Sequence, residues 1–271
     1  MRRSGLPATL AVVALLAALP ARPPAAAGAE SADRREAAQT YARCLALARD
    51  RPAKGLERAR TWHDTGGGDP ARHCAGVALM RLGRYTEAGR HLADLAKTLS
   101  ADRGAGMRAS ALAQAGQAWV LAGKPARAEA AYSQALKLHG EDVELWIDRA
   151  LARFEMADYW RAIDDLNRAN ELAPGRADVL VFRASAYRHV DAPTMARSDI
   201  EQALKRDPDN PEGLLEKGIL RRLAGDKKGA REAWLRVIRV APESSAAESA
   251  RANLARLDMA GARPMKGAGG T

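Results

Sequence analysis

Residues 109–142 read ASALAQAGQAWVLAGKPARAEAAYSQALKLHGED, 143–176 read VELWIDRALARFEMADYWRAIDDLNRANELAPGR, 177–210 read ADVLVFRASAYRHVDAPTMARSDIEQALKRDPDN, and 211–242 read PEGLLEKGILRRLAGDKKGAREAWLRVIRVAP. Aligned end to end, they are four copies of one 34-residue pattern. Gly116, Ala150, Ala184 and Gly218 share one position; Ala128, Ala162, Ala196 and Ala230 another; Tyr132, Leu166, Ile200 and Trp234 a third; Pro174, Pro208 and Pro242 a fourth. A fixed period of this length means that each unit is a supersecondary element whose apolar face is buried by its neighbours.

The unit is a helix pair. Ala, Leu, Arg and Glu dominate, aromatics are only 4% of the chain, and strand formers are sparse, a composition that favours helix. Gly123 and Gly225 fall where a left-handed C-terminal cap is wanted, and Pro125 and Pro193 open the second helices of their units. Small residues mark where backbones approach, and Tyr132, Leu166, Ile200 and Trp234 fill the space beside them. The spacing predicts an all-α solenoid of stacked antiparallel helix pairs.

The period extends outward from 109–242. Gly76, Ala88 and Leu92 lie 40 residues before Gly116, Ala128 and Tyr132, so a unit over 69–102 is followed by a six-residue insertion, expected as a loop at 103–108. A worn helix pair is expected over 30–68, with Tyr41, Leu45 and Ala48 at helical spacing, a break at Arg51-Pro52 and a loop at Gly66-Gly67-Gly68. Beyond the unit at 211–244, residues 245–258 form a single capping helix that touches the array through Leu254 and Leu257. The Gly-rich stretch 259–271 is expected as a disordered tail.

Residues 1–29 read as a secretory signal peptide. Arg2 and Arg3 precede a 14-residue apolar run from Leu6 to Leu19, and Ala27-Gly28-Ala29 is a small-x-small processing signal before Glu30. Pro20, Arg22, Pro23 and Pro24 cut the run shorter than a membrane span of about 20 residues. The chain is therefore expected to be exported, to a periplasmic compartment, without stable membrane insertion. Loss of Arg2, Arg3 and Arg22 lowers the net charge from +10 to +7. The basic residues are scattered among acids on every helix and lack interleaved aromatics, which argues for an Arg-rich solvated surface and against nucleic acid. In an oxidising compartment Cys44 and Cys74, on first helices of adjacent units, are candidates for a disulfide; the alternative is two separate buried small hydrophobes.

The helix-pair pattern resembles the tetratricopeptide repeat family. The fourth unit matches the family's positions at Trp146, Ala150, Tyr159, Ala162, Leu166, Ala169 and Pro174; the fifth at Leu180, Ala184, Tyr187, Ala196, Ala203 and Pro208; the sixth at Leu214, Gly218, Gly225, Ala230, Trp234 and Pro242. The third has Leu112, Gly116, Trp119, Ala128, Tyr132 and Ala135, with Gly140 in place of the usual Pro, and the second has Gly76, Gly83, Tyr85, Ala88 and Leu92. The resemblance covers about residues 36–244.

The resemblance implies a right-handed α-solenoid that serves as a protein-binding scaffold, with its first helices lining a concave groove. Carried over position by position, the family's ligand-contacting sites become Val77, Met80 and Arg81 in the second unit and Gln117, Val120 and Leu121 in the third. In the fourth they become Glu144, Ile147, Leu151 and Phe154, in the fifth Val181 and Arg188, and in the sixth Leu215, Ile219 and Arg222. Ile147, Leu151, Val181 and Leu215 stand where family members that clamp an acidic C-terminal peptide hold Lys, Asn or Arg, so that mode is not expected. Either the groove takes an apolar or amphipathic partner segment, or these residues are structural.

No catalytic constellation accompanies the repeat. His73 and Cys74 are consecutive and point about 100° apart on a helix, so they do not share a metal ion easily. Gly66-Gly67-Gly68 follows a helix and is not a phosphate cradle. Asp164-Asp165 reads as a solvated helix face. No metal or cofactor is implied. The expected role is a non-catalytic adaptor of the cell envelope; the alternatives are an accessory or regulatory subunit of a cell-wall or outer-membrane assembly enzyme, and an enzyme whose site the sequence does not display.

Overall fold

A computed structural model describes residues 24–99 and 105–261, with the side chains of 24–33, 260 and 261 excepted. Most of the expected signal segment, residues 103–104 of the expected insertion and 262–271 of the expected tail lie outside the described residues. The chain divides between Arg43 and Cys44 into two compact units. In the first, the described residues belong to α1 (Pro24–Asp50), which begins before the expected processing position and continues into the second unit. The remaining helices all belong to the second.

There the elements alternate as the period predicts: α2 (Pro52–Trp62), α3 (Gly68–Arg81), α4 (Tyr85–Thr98), α5 (Ala105–Leu121), α6 (Pro125–Leu138), α7 (Val143–Glu155), α8 (Tyr159–Leu172), α9 (Ala177–His189), α10 (Pro193–Arg206), α11 (Pro211–Leu223), α12 (Lys227–Val240) and α13 (Ser245–Gly261). No strand occurs among the described residues. Each helix packs on the next, and the first helices also form a row: α5 on α7, α7 on α9, α9 on α11 and α11 on α13. The result is an all-α solenoid.

Two boundaries differ from expectation. Ala105–Arg108, expected as part of a loop, form the opening turn of α5, so the insertion lengthens a first helix instead of only looping out. Residues 259–261, expected in the tail, continue α13. Between α2 and α3 the chain kinks over His63–Gly67, where Thr65 and Gly66 leave helical backbone geometry and Gly66 and Gly68 take φ +95° and +52°.

The cores are local. Leu92, Trp119, Ala128 and Tyr132 belong to one buried cluster, Ile147, Ala150, Ala162, Leu166 and Val179 to another, and Leu214, Ala230, Trp234, Ala247 and Leu257 to a third. Cys44, Ala48, Leu56, Ala59 and Cys74 form an N-terminal cluster, in which the Cys44 and Cys74 sulfurs are bonded with their Cα atoms 6.1 Å apart. Each of α3, α5, α7, α9 and α11 is followed by a residue at positive φ: Gly83, Gly123, Ala157, Asp191 and Gly225, at +72°, +65°, +58°, +56° and +85°. Three glycines supply the left-handed turn without strain; Ala157 and Asp191 adopt it with a side chain.

Candidate functional site

The 40-residue offset between the second and third units sets Val77 opposite Gln117 and Arg81 opposite Leu121 in register. The structure gathers Val77, Met80 and Arg81 of α3, Tyr85 at the start of α4, and Gln114, Gln117 and Leu121 of α5 around one open recess of about 430 Å³. Val77, Met80 and Leu121 give it apolar surface; Leu121 is 51% exposed, and its neighbour Val120 is 41% exposed. Gln114 is held in place, with its Oε1 3.0 Å from His73 Nε2 and its Nε2 donating to Ser110 Oγ at 3.2 Å. Burial holds the His73 imidazole below its usual pKa, partly opposed by the Gln114 hydrogen bond. Arg81 and Gln117 are exposed and make no side-chain hydrogen bond among the described residues. An apolar floor with two uncommitted polar groups at its edge suits an extended or helical segment with one apolar face.

The remaining candidate residues are used differently. Ile147 and Val181 are 4% and 6% exposed and lie inside the core, so they are not available to a ligand. The reason is the row of first helices: α7, α9 and α11 touch one another, which puts these positions in the seam between helices. Leu151 and Phe154 pack against the same core from its edge. Phe154 stands edge-on to Tyr159 and His189, with centroids at 5.0 and 5.2 Å, while Tyr159 and His189 stack at 4.5 Å. Arg188 pairs with buried Glu216, and its Nη2 also donates to Ser185 Oγ at 3.2 Å. Leu215 and Ile219 pack on the C-terminal core. Glu144 is exposed and pairs with Arg176; Arg222 is exposed. Toward the C-terminus, most of the apolar stripe expected on the groove is therefore part of the scaffold.

Asp165 overturns another expectation. Asp164 is solvated, but Asp165 is 2% exposed and clamped by two arginines. Arg149 donates Nε and Nη2 to its two carboxylate oxygens at 3.0 and 2.7 Å, and Arg153 Nη1 adds a third bond at 2.8 Å. Arg149 also donates Nη1 to Ser133 Oγ at 3.1 Å. One period later Arg183 repeats the pattern, forking onto Asp199 at 2.8 and 2.7 Å and donating to Asn167 Oδ1 at 3.0 Å. Burial pushes the Asp165 carboxyl up despite the arginines, and Asp199 holds the Arg183 guanidinium above its usual value. A signal for these pairs exists in the sequence: Arg149 and Arg183, and Asp165 and Asp199, are each one period apart.

No protein-family model matches the chain, and no curated protein matches it in sequence. Solved structures match the fold. PilF of Pseudomonas aeruginosa superimposes with a TM-score of 0.59 at 15% identity, over 80% of this chain and 99% of its own. MamA from Desulfovibrio magneticus RS-1 gives 0.57 at 20% identity, over 66% and 98%. YrrB, described as a TPR protein with an unusual peptide-binding site, gives 0.53 at 16% identity, over 71% and 96%. The chain therefore has the helix-pair fold of these structures, one of which is described as a TPR protein. The period agrees with that fold: Gly116, Ala150, Ala184 and Gly218 each stand sixteen residues before a large residue, Tyr132, Leu166, Ile200 and Trp234. Among the described residues of the array, no group of three or more His, Cys, Asp or Glu could hold a metal ion, and no helix is long and apolar enough to cross a membrane.

Proposed function

We propose that the chain is a non-catalytic protein-interaction scaffold of the cell envelope, and that it holds an apolar or amphipathic segment of a partner in the recess between α3 and α5. One observation carries the reading. Val77, Met80, Arg81, Gln117 and Leu121 share an open recess, whereas Ile147, Val181 and Arg188 are consumed by packing or ion pairing. A peptide-binding site in YrrB, which has the same fold, supports the class of ligand. The envelope assignment rests on the Leu6–Leu19 run, the Ala27-Gly28-Ala29 signal and the oxidised Cys44–Cys74 pair.

The test is photocrosslinking in cells. A crosslinker at Leu121 or Gln117 is expected to give discrete adducts that Val77→Asp removes, while one at Trp160, which is 63% exposed on a second helix, gives none. Equal yields at Leu121 and Trp160 overturn the recess. Fractionation of the same cells checks the compartment: an envelope fraction whose N-terminus is near Glu30 is expected, and an unprocessed cytoplasmic chain overturns that part alone.

A further inference from the structure

The ion pairs of the fourth and fifth repeats define a rung that recurs along the array. An Arg of the first helix, Arg149 or Arg183, reaches forward to an Asp of its own second helix, Asp165 or Asp199. It also reaches back to a polar side chain of the preceding second helix, Ser133 or Asn167. One further period gives Lys217 in the place of the arginine, Ala233 in the place of the aspartate and Glu201 in the place of Asn167. The cation is kept and its buried carboxylate is gone.

Lys217 makes no ion pair or side-chain hydrogen bond among the described residues. It lines, with Leu214, Arg221, Glu232, Ala233 and Arg236, a recess of about 190 Å³ between α11 and α12. It also lines a larger recess of about 420 Å³ between α10 and α11, with Arg197, Glu201 and Lys205 on the wall. Arg236 is paired with Asp209 at 2.9 Å, and Arg221 is 3.8 Å from Asp226. Burial holds the Lys217 ammonium below its usual pKa, Arg221 and Arg236 push it the same way, and Glu201 opposes them. Glu232 and Glu201 line these recesses but neither pairs with Lys217, and a partly buried cation without a paired carboxylate is in an unfavourable state that an added carboxylate relieves.

We infer that the Lys217–Ala233 slot is a binding site for a carboxylate supplied from outside the chain, an acidic side chain of a protein partner, which completes the rung that Asp165 and Asp199 complete internally. The recesses that Lys217 lines, one between α11 and α12 and one between α10 and α11, share no residue with the α3–α5 recess, and the site does not depend on it. A partner with an acidic stretch would engage the last repeats at α10 to α12.

The test is a titration of the isotope-labelled full chain with succinate, followed by NMR at the Ala233 methyl and the Lys217 amide, with inorganic phosphate as a parallel probe. Saturable shifts with succinate are expected. Affinity is expected to fall about ten-fold or more in Lys217→Met, the loss of one charge-assisted hydrogen bond. Ala233→Asp, which places a carboxylate in the slot, is expected to abolish binding, as is the double variant Lys217→Arg with Ala233→Asp, which rebuilds the preceding rungs and guards against misfolding of either single variant. Glu201→Gln removes a competing carboxylate and is expected to tighten binding. Failure of the wild-type shifts to saturate, unchanged binding in the double variant, or tighter binding of phosphate than of succinate each overturns the proposal.

Discussion

A β-carbon added to Gly218 would collide with the indole nitrogen of Trp234. The first helix of the sixth repeat approaches the second so closely that the indole Nε1 donates to Leu215 O at 3.2 Å, across the face where Gly218 has no side chain. Gly218→Ala is therefore expected to cost about 1–3 kcal/mol, the usual penalty for overpacking a filled core. The fourth repeat solves the same contact with Ala150 and Leu166. Combining Gly218→Ala with Trp234→Leu is thus expected to be less damaging than the two single effects summed, a coupling that urea unfolding of the four proteins measures.

That contact is legible in the sequence alone. Small residues at Gly76, Gly116 and Gly218 face large ones at Leu92, Tyr132 and Trp234, sixteen residues on in each case. Periodicity reports such positions well because every repeat solves the same packing problem. It reports a binding face poorly. Ile147 and Leu121 both fall on groove positions of the repeat, yet one is 4% and the other 51% exposed. The difference lies in how tightly neighbouring first helices close, which depends on all their side chains together. Asp165 escapes a sequence reading for a related reason: a carboxylate among charged neighbours looks solvated until Arg149 and Arg153, on a different helix, are brought over it.

The left-handed cap gives a second prediction. Ala157 occupies at φ +58° the position that Gly123 and Gly225 occupy at +65° and +85°. An alanine there carries about 1–2 kcal/mol of steric strain that glycine does not, offset in part by the greater freedom glycine loses on folding. Ala157→Gly is expected to stabilise the array by about 0.5–1 kcal/mol, and Gly225→Ala to destabilise it by a similar amount. Opposite shifts of the thermal midpoint check both signs at once.

The buried pair Arg183–Asp199 gives a third. Asp199 is 4% exposed, and its two oxygens are taken by the guanidinium fork. Asp199→Ala leaves Arg183 desolvated without a partner and is expected to cost about 3–5 kcal/mol, whereas Arg183→Met with Asp199→Leu is expected to cost much less. If the double variant is no more stable than the single one in urea unfolding, the pair matters for more than mutual neutralisation.

The pH dependence of stability gives a fourth. Burial raises the Asp148 carboxyl above its unperturbed 3.8, and Glu144 adds to the effect while the Tyr132 hydroxyl opposes it. The folded chain thus holds this proton more tightly than the unfolded chain does. The stabilisation is fully present below about 3.8 and is lost as pH rises through the folded-state value. Asp148→Asn, which mimics the neutral form, is expected to be close to neutral at the acid end of that window and stabilising at pH 7. A stability difference that does not grow with pH between these limits contradicts the assignment.

The disulfide separates the two ends of the array. Cys44 and Cys74 close a loop of 30 residues in sequence, for which chain entropy alone gives about 3–4 kcal/mol of stabilisation. The bond ties the end of α1 to α3 around a core of Ala48, Leu56 and Ala59, in which two of the three residues are small and bury little apolar area. In a solenoid each repeat contacts only its neighbours, so loss of the bond loosens the units beside it and not the whole array. Reduction is therefore expected to raise amide exchange across Cys44–Asp50, α2 and α3, while α9 to α13, closed by Trp234 and Leu257, keep their protection. Uniform loss of protection along the chain would instead mean that the N-terminal pair nucleates the stability of every repeat that follows.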